Sequence, residues 1–158
     1  MTGLSDLATP TPTVDGRYAI EVPAGWRQGR GSYGGLTIAG LVRAIEHAVG
    51  DPTRTVRSVT AELPGPVMAG PAEITTEILR TGKSVSTARA ALAQAGEIKA
   101  HAVCVLAATR RGHGPLAWQE LVLPEAPPWS QVEPLVMIEA NAARWPEFVP
   151  NFEYRVVD

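Results

Sequence analysis

Tyr33-Gly34-Gly35-Leu36-Thr37-Ile38-Ala39-Gly40-Leu41-Val42-Arg43-Ala44-Ile45-Glu46-His47-Ala48-Val49-Gly50 is the stretch on which the fold turns. From Leu36 the apolar residues Ile38, Leu41, Val42, Ile45, Ala48 and Val49 recur at helical spacing, while Thr37, Arg43, Glu46 and His47 fall largely on another face. Ser32 is placed to cap the helix, and Gly50-Asp51-Pro52 is a strong stop. Gly40 and the alanines let such a helix lie close against a sheet. No other convincing helix precedes residue 110.

Upstream, Gly25, Gly29, Gly31, Gly34 and Gly35 crowd into eleven residues, a density that lets backbone approach a ligand or a neighbouring strand. Before them, Arg17–Val22 alternates as a short strand ended by Pro23, and residues 1–16 read as a loose Thr/Pro/Gly-rich arm. Downstream come four strands: Thr55–Leu63, Ala72–Arg80, Ser84–Ala93 and Glu97–Thr109. They are separated by Pro64-Gly65-Pro66, Thr81-Gly82 and Ala95-Gly96, the spacing of an antiparallel meander. Ser84, Ser86, Ala88, Ala90 and Leu92 share one face of the third, and Ile98, Ala100, Ala102, Cys104 and Leu106 one face of the fourth. Faces so small need something bulky against them, and the helix is the available partner.

After Arg110-Arg111-Gly112 the character changes. Half of the fourteen prolines lie from Pro115 onward, with Trp118, Trp129 and Trp145 between them, as in an extended linker anchored by aromatics. Leu135–Ala143 is expected to form one or two helical turns, and Phe152-Glu153-Tyr154-Arg155-Val156-Val157 a strand.

Composition removes several classes. The 158 residues are 45% hydrophobic and 19% charged, with net charge −2, enough for a real core and without the basic stripe of a nucleic-acid surface. Arg54, Arg57, Arg110 and Arg111 are interleaved with acids and read as solvated surface. The lone Cys104 excludes an intrachain disulfide and a thiolate metal site, and reads as core filler. The N-terminus lacks a signal-peptide pattern, and no run approaches the ~18 apolar residues of a membrane span, so a cytoplasmic protein without membrane contact is expected.

Strand, glycine-rich loop, buried helix, four long strands: this order resembles a hotdog domain, an α+β fold in which one antiparallel sheet wraps around one long central helix. The words resemble the double-hotdog (type II, thioesterase-like) acyl-CoA thioesterases. Trp26, Gly29-Arg30-Gly31 and Tyr33-Gly34-Gly35 are similar to their opening, Leu63-Pro64-Gly65-Pro66-Val67 to their first Pro-Gly turn, and Glu77 to Thr87 to their next hairpin. The likeness spans about residues 17–109 and implies three parts: an arm (1–16), a hotdog domain (17–110), and a Pro/Trp-rich linker with the start of a possible second hotdog strand (111–158). The chain thus resembles the N-terminal half of such an enzyme plus its linker.

The resemblance implies an acyl-CoA or acyl-carrier-protein thioester as ligand, no cofactor and no metal. Thioester hydrolysis needs a polarised carbonyl, an activated water and an acyl tunnel. A helix N-terminus offers unpaired N–H groups and the positive dipole end, so Tyr33, Gly34 and Gly35 are the expected substrate-binding residues, holding the thioester carbonyl. The bland alternative is that both glycines serve only helix–sheet packing. The catalytic base is unknown. In single-hotdog relatives a His-Gly-Gly is followed two turns on by a carboxylate, whereas here Tyr33 replaces the His and Val42 stands at the later position. Glu46 and His47 lie about 17 Å from the glycines at 1.5 Å per residue and read as solvated helix face. His101 is expected on the outer sheet face, His113 is unpaired in the linker, and Asp15 and Asp51 are turn residues.

Hotdog domains pair side by side, and an isolated one leaves an edge strand open. A homodimer, or a hetero-oligomer with another hotdog chain, is therefore expected. The leading functional expectation is a thioesterase-like protein that hydrolyses or binds acyl thioesters. Its rivals are a non-catalytic hotdog subunit serving a separate catalytic chain, and a hotdog dehydratase or hydratase, which typically pairs a His with an Asp.

Overall fold

The computed structural model describes residues 3–109, 122, 124–135 and 145–157. The decisive stretch is a single helix, α2 (Gly34–Val49); a one-turn helix, α1 (Leu4–Leu7), precedes it in the arm. Leu41, Ala44 and Ile45 are wholly buried, at the positions where helical periodicity brings one stripe to the core. Gly50 ends α2 at φ 63°, the left-handed conformation that glycine adopts without penalty, and its N–H donates to the Glu46 carbonyl at 3.1 Å.

The strands are β1 (Thr11–Pro12), β2 (Arg17–Val22), a small separate hairpin of β3 (Arg27–Gln28) and β4 (Gly31–Ser32), β5 (Arg54–Glu62), β6 (Gly70–Thr81), β7 (Val85–Gln94) and β8 (Glu97–Ala108). Six form one antiparallel sheet in the order β1-β2-β6-β7-β8-β5. The strands expected between Arg17 and Thr109 therefore all form, to within two residues at each end. Ala88, Ala90 and Leu92 of β7 and Ala100, Ala102, Cys104 and Leu106 of β8 are buried in one cluster with Leu41, Ala44 and Ile45, and Ser86 of β7 is buried on the same face. Small sheet residues under a bulky helix stripe give the close packing anticipated from composition. Burial pushes the Cys104 thiol up, with the Glu46 carboxylate adding to the effect, which keeps it a protonated, inert core group.

One face assignment fails. Ile98 was expected beside Ala100 on the inner face, yet it is 58% exposed. The register of β7 and β8 shifts between Leu92 and Ala93, so that Leu92 pairs with Ala100 but Ala93 with Ile98. An extra residue at such a bulge reverses the alternation of side chains beyond it.

The arm is docked rather than loose. β1 pairs with β2, and Ala8, buried to 2%, packs with Trp26 and Leu36. The C-terminal segment also departs from expectation. Phe152 to Val157 runs extended but forms no strand among the described residues, where its backbone bond to another segment is the one from the Leu135 N–H to the Tyr154 carbonyl at 2.7 Å; a short 3₁₀ turn, Val149–Asn151, precedes it. Its anchors are Phe148, Val149 and Phe152, whereas Trp129 and Trp145 are exposed. Trp118, His113, Arg110, Arg111 and most of the expected helical turns of Leu135–Ala143 lie outside the described residues.

At the far end of α2, Arg54 ties the connection to the sheet. It donates to Asp51 Oδ2 at 2.8 Å, to Ser86 Oγ at 2.6 Å and to the Gly82 carbonyl at 3.0 Å. Arg54 is therefore buried structure, not the solvated surface expected. Asp51 also accepts from the Thr53 hydroxyl (2.6 Å) and backbone N–H (3.0 Å), and these bonds, then Arg54, hold its carboxyl below the ordinary 3.8. A carboxylate with a depressed folded pKa contributes stability above its unfolded pKa and loses it as pH falls through the folded value. We expect the contribution of Asp51 to stability to fade as pH drops below about 4. An Asp51→Asn protein should be less stable at pH 7 and closer to wild type near pH 2, as read by urea melts across that range. Equal losses at both pH values would refute the assignment.

Candidate functional site

The site expected at the start of α2 is built by loops that hydrogen bonds draw together. The Ser32 N–H donates to the Val67 carbonyl at 2.7 Å and the Tyr33 N–H to the Trp26 carbonyl at 2.6 Å, which fixes where the helix can begin. Gly31 is required here, since a Cβ would come within 3.0 Å of Pro66 Cα and Val67 N. The β3–β4 hairpin thereby lies directly on the Leu63–Val67 turn.

Tyr33, not Ser32, occupies the cap position, and it supplies no side-chain cap. The capping role expected for Ser32 is not realised: its backbone N–H is drawn to Val67, and its Oγ is buried without a partner among the described residues. The Thr37 hydroxyl, one turn into the helix, is also buried and unpartnered among the described residues. A buried polar group left unpaired costs about 1–3 kcal/mol, so both are unusual in an otherwise apolar surrounding. The Tyr33 carbonyl accepts from the N–H groups of Leu36 (3.1 Å) and Thr37 (3.3 Å). The amides of Gly34 and Gly35 find no acceptor among the described residues, as the first turn of any helix requires unless something caps it.

The two glycines differ in what adjoins them. A Cβ on Gly34 would meet only Leu63 Cδ2, at 3.6 Å, beside an open cleft lined by Gln28, Arg30, Leu63, Pro64 and Pro66. A Cβ on Gly35 would lie 2.5–2.8 Å from the ring atoms and hydroxyl of Tyr33. Tyr33 in turn stacks on Phe148, with centroids 4.4 Å apart and planes at 11°, and meets Phe152 edge-on at 5.7 Å. Phe152 also sets its edge to Trp26 at 5.6 Å. This aromatic cover was not foreseen; the only hint in the sequence is that Phe148 and Phe152 follow a run of prolines.

Among the described residues, the cleft is lined by no carboxylate. Arg30, which also borders a smaller neighbouring hollow, forms no ion pair among the described residues, while Arg27 is paired with Glu147 at 2.8 Å. With the positive end of α2, the surroundings favour negative charge developing on a bound oxygen. No group of three or more His, Cys, Asp or Glu is placed to hold a metal among the described residues.

The remaining candidates stay apart from this site. Glu46 pairs with Arg43 at 3.6 Å; His47 is exposed, yet its Nδ1 lies 3.1 Å from the buried Tyr18 hydroxyl. Val42 packs against the main core. His101 lies 3.2 Å from Glu62 across β8 and β5, on the outer face as expected.

Residues 22–111, more than half of the chain, match the family model described as the acyl-CoA thioesterase N-terminal domain. No curated protein matches. Among solved structures, the chain is similar to one described as a candidate thioesterase II from Thermobifida fusca YX, at 25% identity and a TM-score of 0.69, covering 87% of this chain and 50% of that one. It is equally similar to a conserved hotdog-fold protein from Alicyclobacillus acidocaldarius, again at 25% identity and 0.69, covering 85% and 49%. The acyl-CoA thioesterase II TesB2 of Mycobacterium marinum, 17% identical with a TM-score of 0.65, shares the fold over 83% of this chain and 47% of its own. The chain spans about half the length of each of these three.

Proposed function

This chain belongs to the acyl-CoA thioesterase N-terminal domain family, and from that premise we propose that it takes an acyl thioester, of CoA or of an acyl-carrier protein, at the start of α2. The carbonyl oxygen rests against the amides of Gly34 and Gly35, and water attacks the carbonyl carbon to release acid and thiol. One observation carries this reading: the Gly34 amide, without an acceptor among the described residues and followed by the equally unpaired Gly35 amide, opens on a cleft lined by Arg30 and, among those residues, by no carboxylate. Such preorganised donors stabilise a developing oxyanion by several kcal/mol.

The chain works in company. β5 is an edge strand whose inner-face Val59 is 42% exposed, and Leu63 just beyond it is 44% exposed. Ile38, Val42 and Glu46, at four-residue spacing, form the stripe of α2 away from the side where Gly40 meets Ile20 of β2. A second hotdog, either another copy or a separate chain, seated along β5 would extend the sheet and bury this seam. A cytoplasmic setting suits a chain whose one cysteine is a buried thiol.

A second reading is favoured by Val42, which stands where single-hotdog relatives carry a carboxylate: the chain then binds the thioester and a partner supplies the base. The experiment is thiol release from medium-chain acyl-CoA. Hydrolysis by the purified chain alone supports catalysis within its own dimer. An inert chain that gains activity on mixing with a hotdog chain bearing the carboxylate supports the subunit reading. Inertness in both assays, with no binding of acyl-CoA, refutes the proposal.

A further inference from the structure

We infer that residues 145–157 are a wall of the thioester site, and that Phe148 and Phe152, by pinning Tyr33, select acyl groups unbranched at the carbon next to the carbonyl. The inference rests on the placement of the thioester proposed above, and it adds a part of the chain that the family match, ending at residue 111, does not include.

The Tyr33 ring is pinned by its stack. It fills the space where a Gly35 Cβ would be and lies 4.4 Å from Phe148, nearly parallel to it. Phe152 fills the corner between Tyr33 and Trp26, and Trp26 is only 7% exposed. The segment that carries the two phenylalanines is itself fastened: Glu147 to Arg27 at 2.8 Å, Asn151 Nδ2 to the Gly25 carbonyl at 3.0 Å, and Val149 buried. Tyr33 is thus held in one place by contacts from a distant part of the chain.

The consequence is a slot with unlike sides. Side chains on a helix lean toward its N-terminus, so whatever occupies the Gly35 Cβ position flanks the space in front of the first-turn amides. That flank is a flat ring, while the Gly34 flank opens on the cleft beside Leu63 and Pro64. A carbonyl oxygen seated on the amides sends its two substituents apart, one into the cleft and the other along the ring. A straight chain slides along a flat surface; a methyl branch at the first acyl carbon collides with it.

The test compares butanoyl with 2-methylpropanoyl groups, which have the same carbons and differ only in branching. The probes are CoA ketone analogues, in which a methylene replaces the sulfur, so that binding is read without hydrolysis. Wild type should bind the straight form about tenfold more tightly, the scale of one methyl group in a shaped pocket. Phe148→Ala should bring the ratio of the two dissociation constants close to one, and Phe148→Tyr should restore it. A circular-dichroism melt of each variant, and the Trp26 environment read by fluorescence, establish that the chain is folded. Folded Phe148→Ala with the wild-type ratio overturns the wall while leaving the thioester site standing. Wild type that binds neither analogue overturns the site and the wall together.

Discussion

Replacing Leu41 by Ala should cost about 3–5 kcal/mol of folding stability, the upper part of the range for buried leucines. Leu41 is wholly buried at the middle of α2, in the cluster that holds Ala88, Ala90, Ala100 and Ala102. Those alanines let the helix approach, but they are too short to move into the space a leucine leaves. The cavity therefore stays open, and cavity volume adds to the lost transfer energy. Urea unfolding followed at the helix signal should show a lower midpoint with an unchanged slope, and the melting temperature should fall by roughly 10 °C or more. Val59→Ala on the half-exposed edge strand is the control, with a loss of about 1 kcal/mol or less. Should Leu41→Ala cost no more than the control, α2 is not the body around which the sheet packs.

Gly35→Val should lower acyl-CoA hydrolysis, or analogue binding where hydrolysis is absent, by about a hundredfold or more. A valine Cβ falls among Tyr33 ring atoms that would be 2.5–2.8 Å away, and the Tyr33 ring is itself stacked on Phe148 at 4.4 Å. Tyr33 or the first turn of α2 must then shift, and either movement spoils the slot in front of the amides. The stability cost is about 1–3 kcal/mol, typical of overpacking, so the variant can be assayed at a temperature where its melt shows it folded. Gly34→Ala is the informative contrast. Its Cβ meets Leu63 at an ordinary 3.6 Å, and alanine suits a helix better than glycine by up to about 1 kcal/mol. Gly34→Ala should therefore melt no lower than wild type. A folded Gly35→Val with wild-type activity would remove the carbonyl from the paired glycines.

Legibility in the sequence followed the range of the interactions involved. α2 and the strands from β5 to β8 are periodic along the chain, and periodicity is local, so their ends were found to within two residues. Ile98 was misplaced because a bulge is a property of two strands in register, and neither strand alone records it. Ser32 looks like a cap by residue type, but a backbone bond to Val67, more than thirty residues away, claims its place and hands the position to Tyr33. Phe152 to Val157 has strand composition, but a strand needs a full ladder, and among the described residues the one backbone bond it receives from another segment, Leu135 N–H to Tyr154, leaves it an extended chain. Of the proposed site, what was legible is the place of the paired glycines at the start of α2, since their flexibility and their position before the helix are written in sequence. Their cover by Phe148 was not, since a ring stack between remote residues leaves no periodic trace.

The position of β5 at the margin has a kinetic consequence. β6, β7 and β8 follow one another through tight turns and can zip as two hairpins on the microsecond scale. β5 precedes all three in the chain yet pairs with β8, the last of them, so its ladder closes only after the whole meander has formed. Closing that longer loop makes β5 a late arrival in folding and an early departure in local opening, with its amides trading hydrogen for solvent deuterium before those of β7.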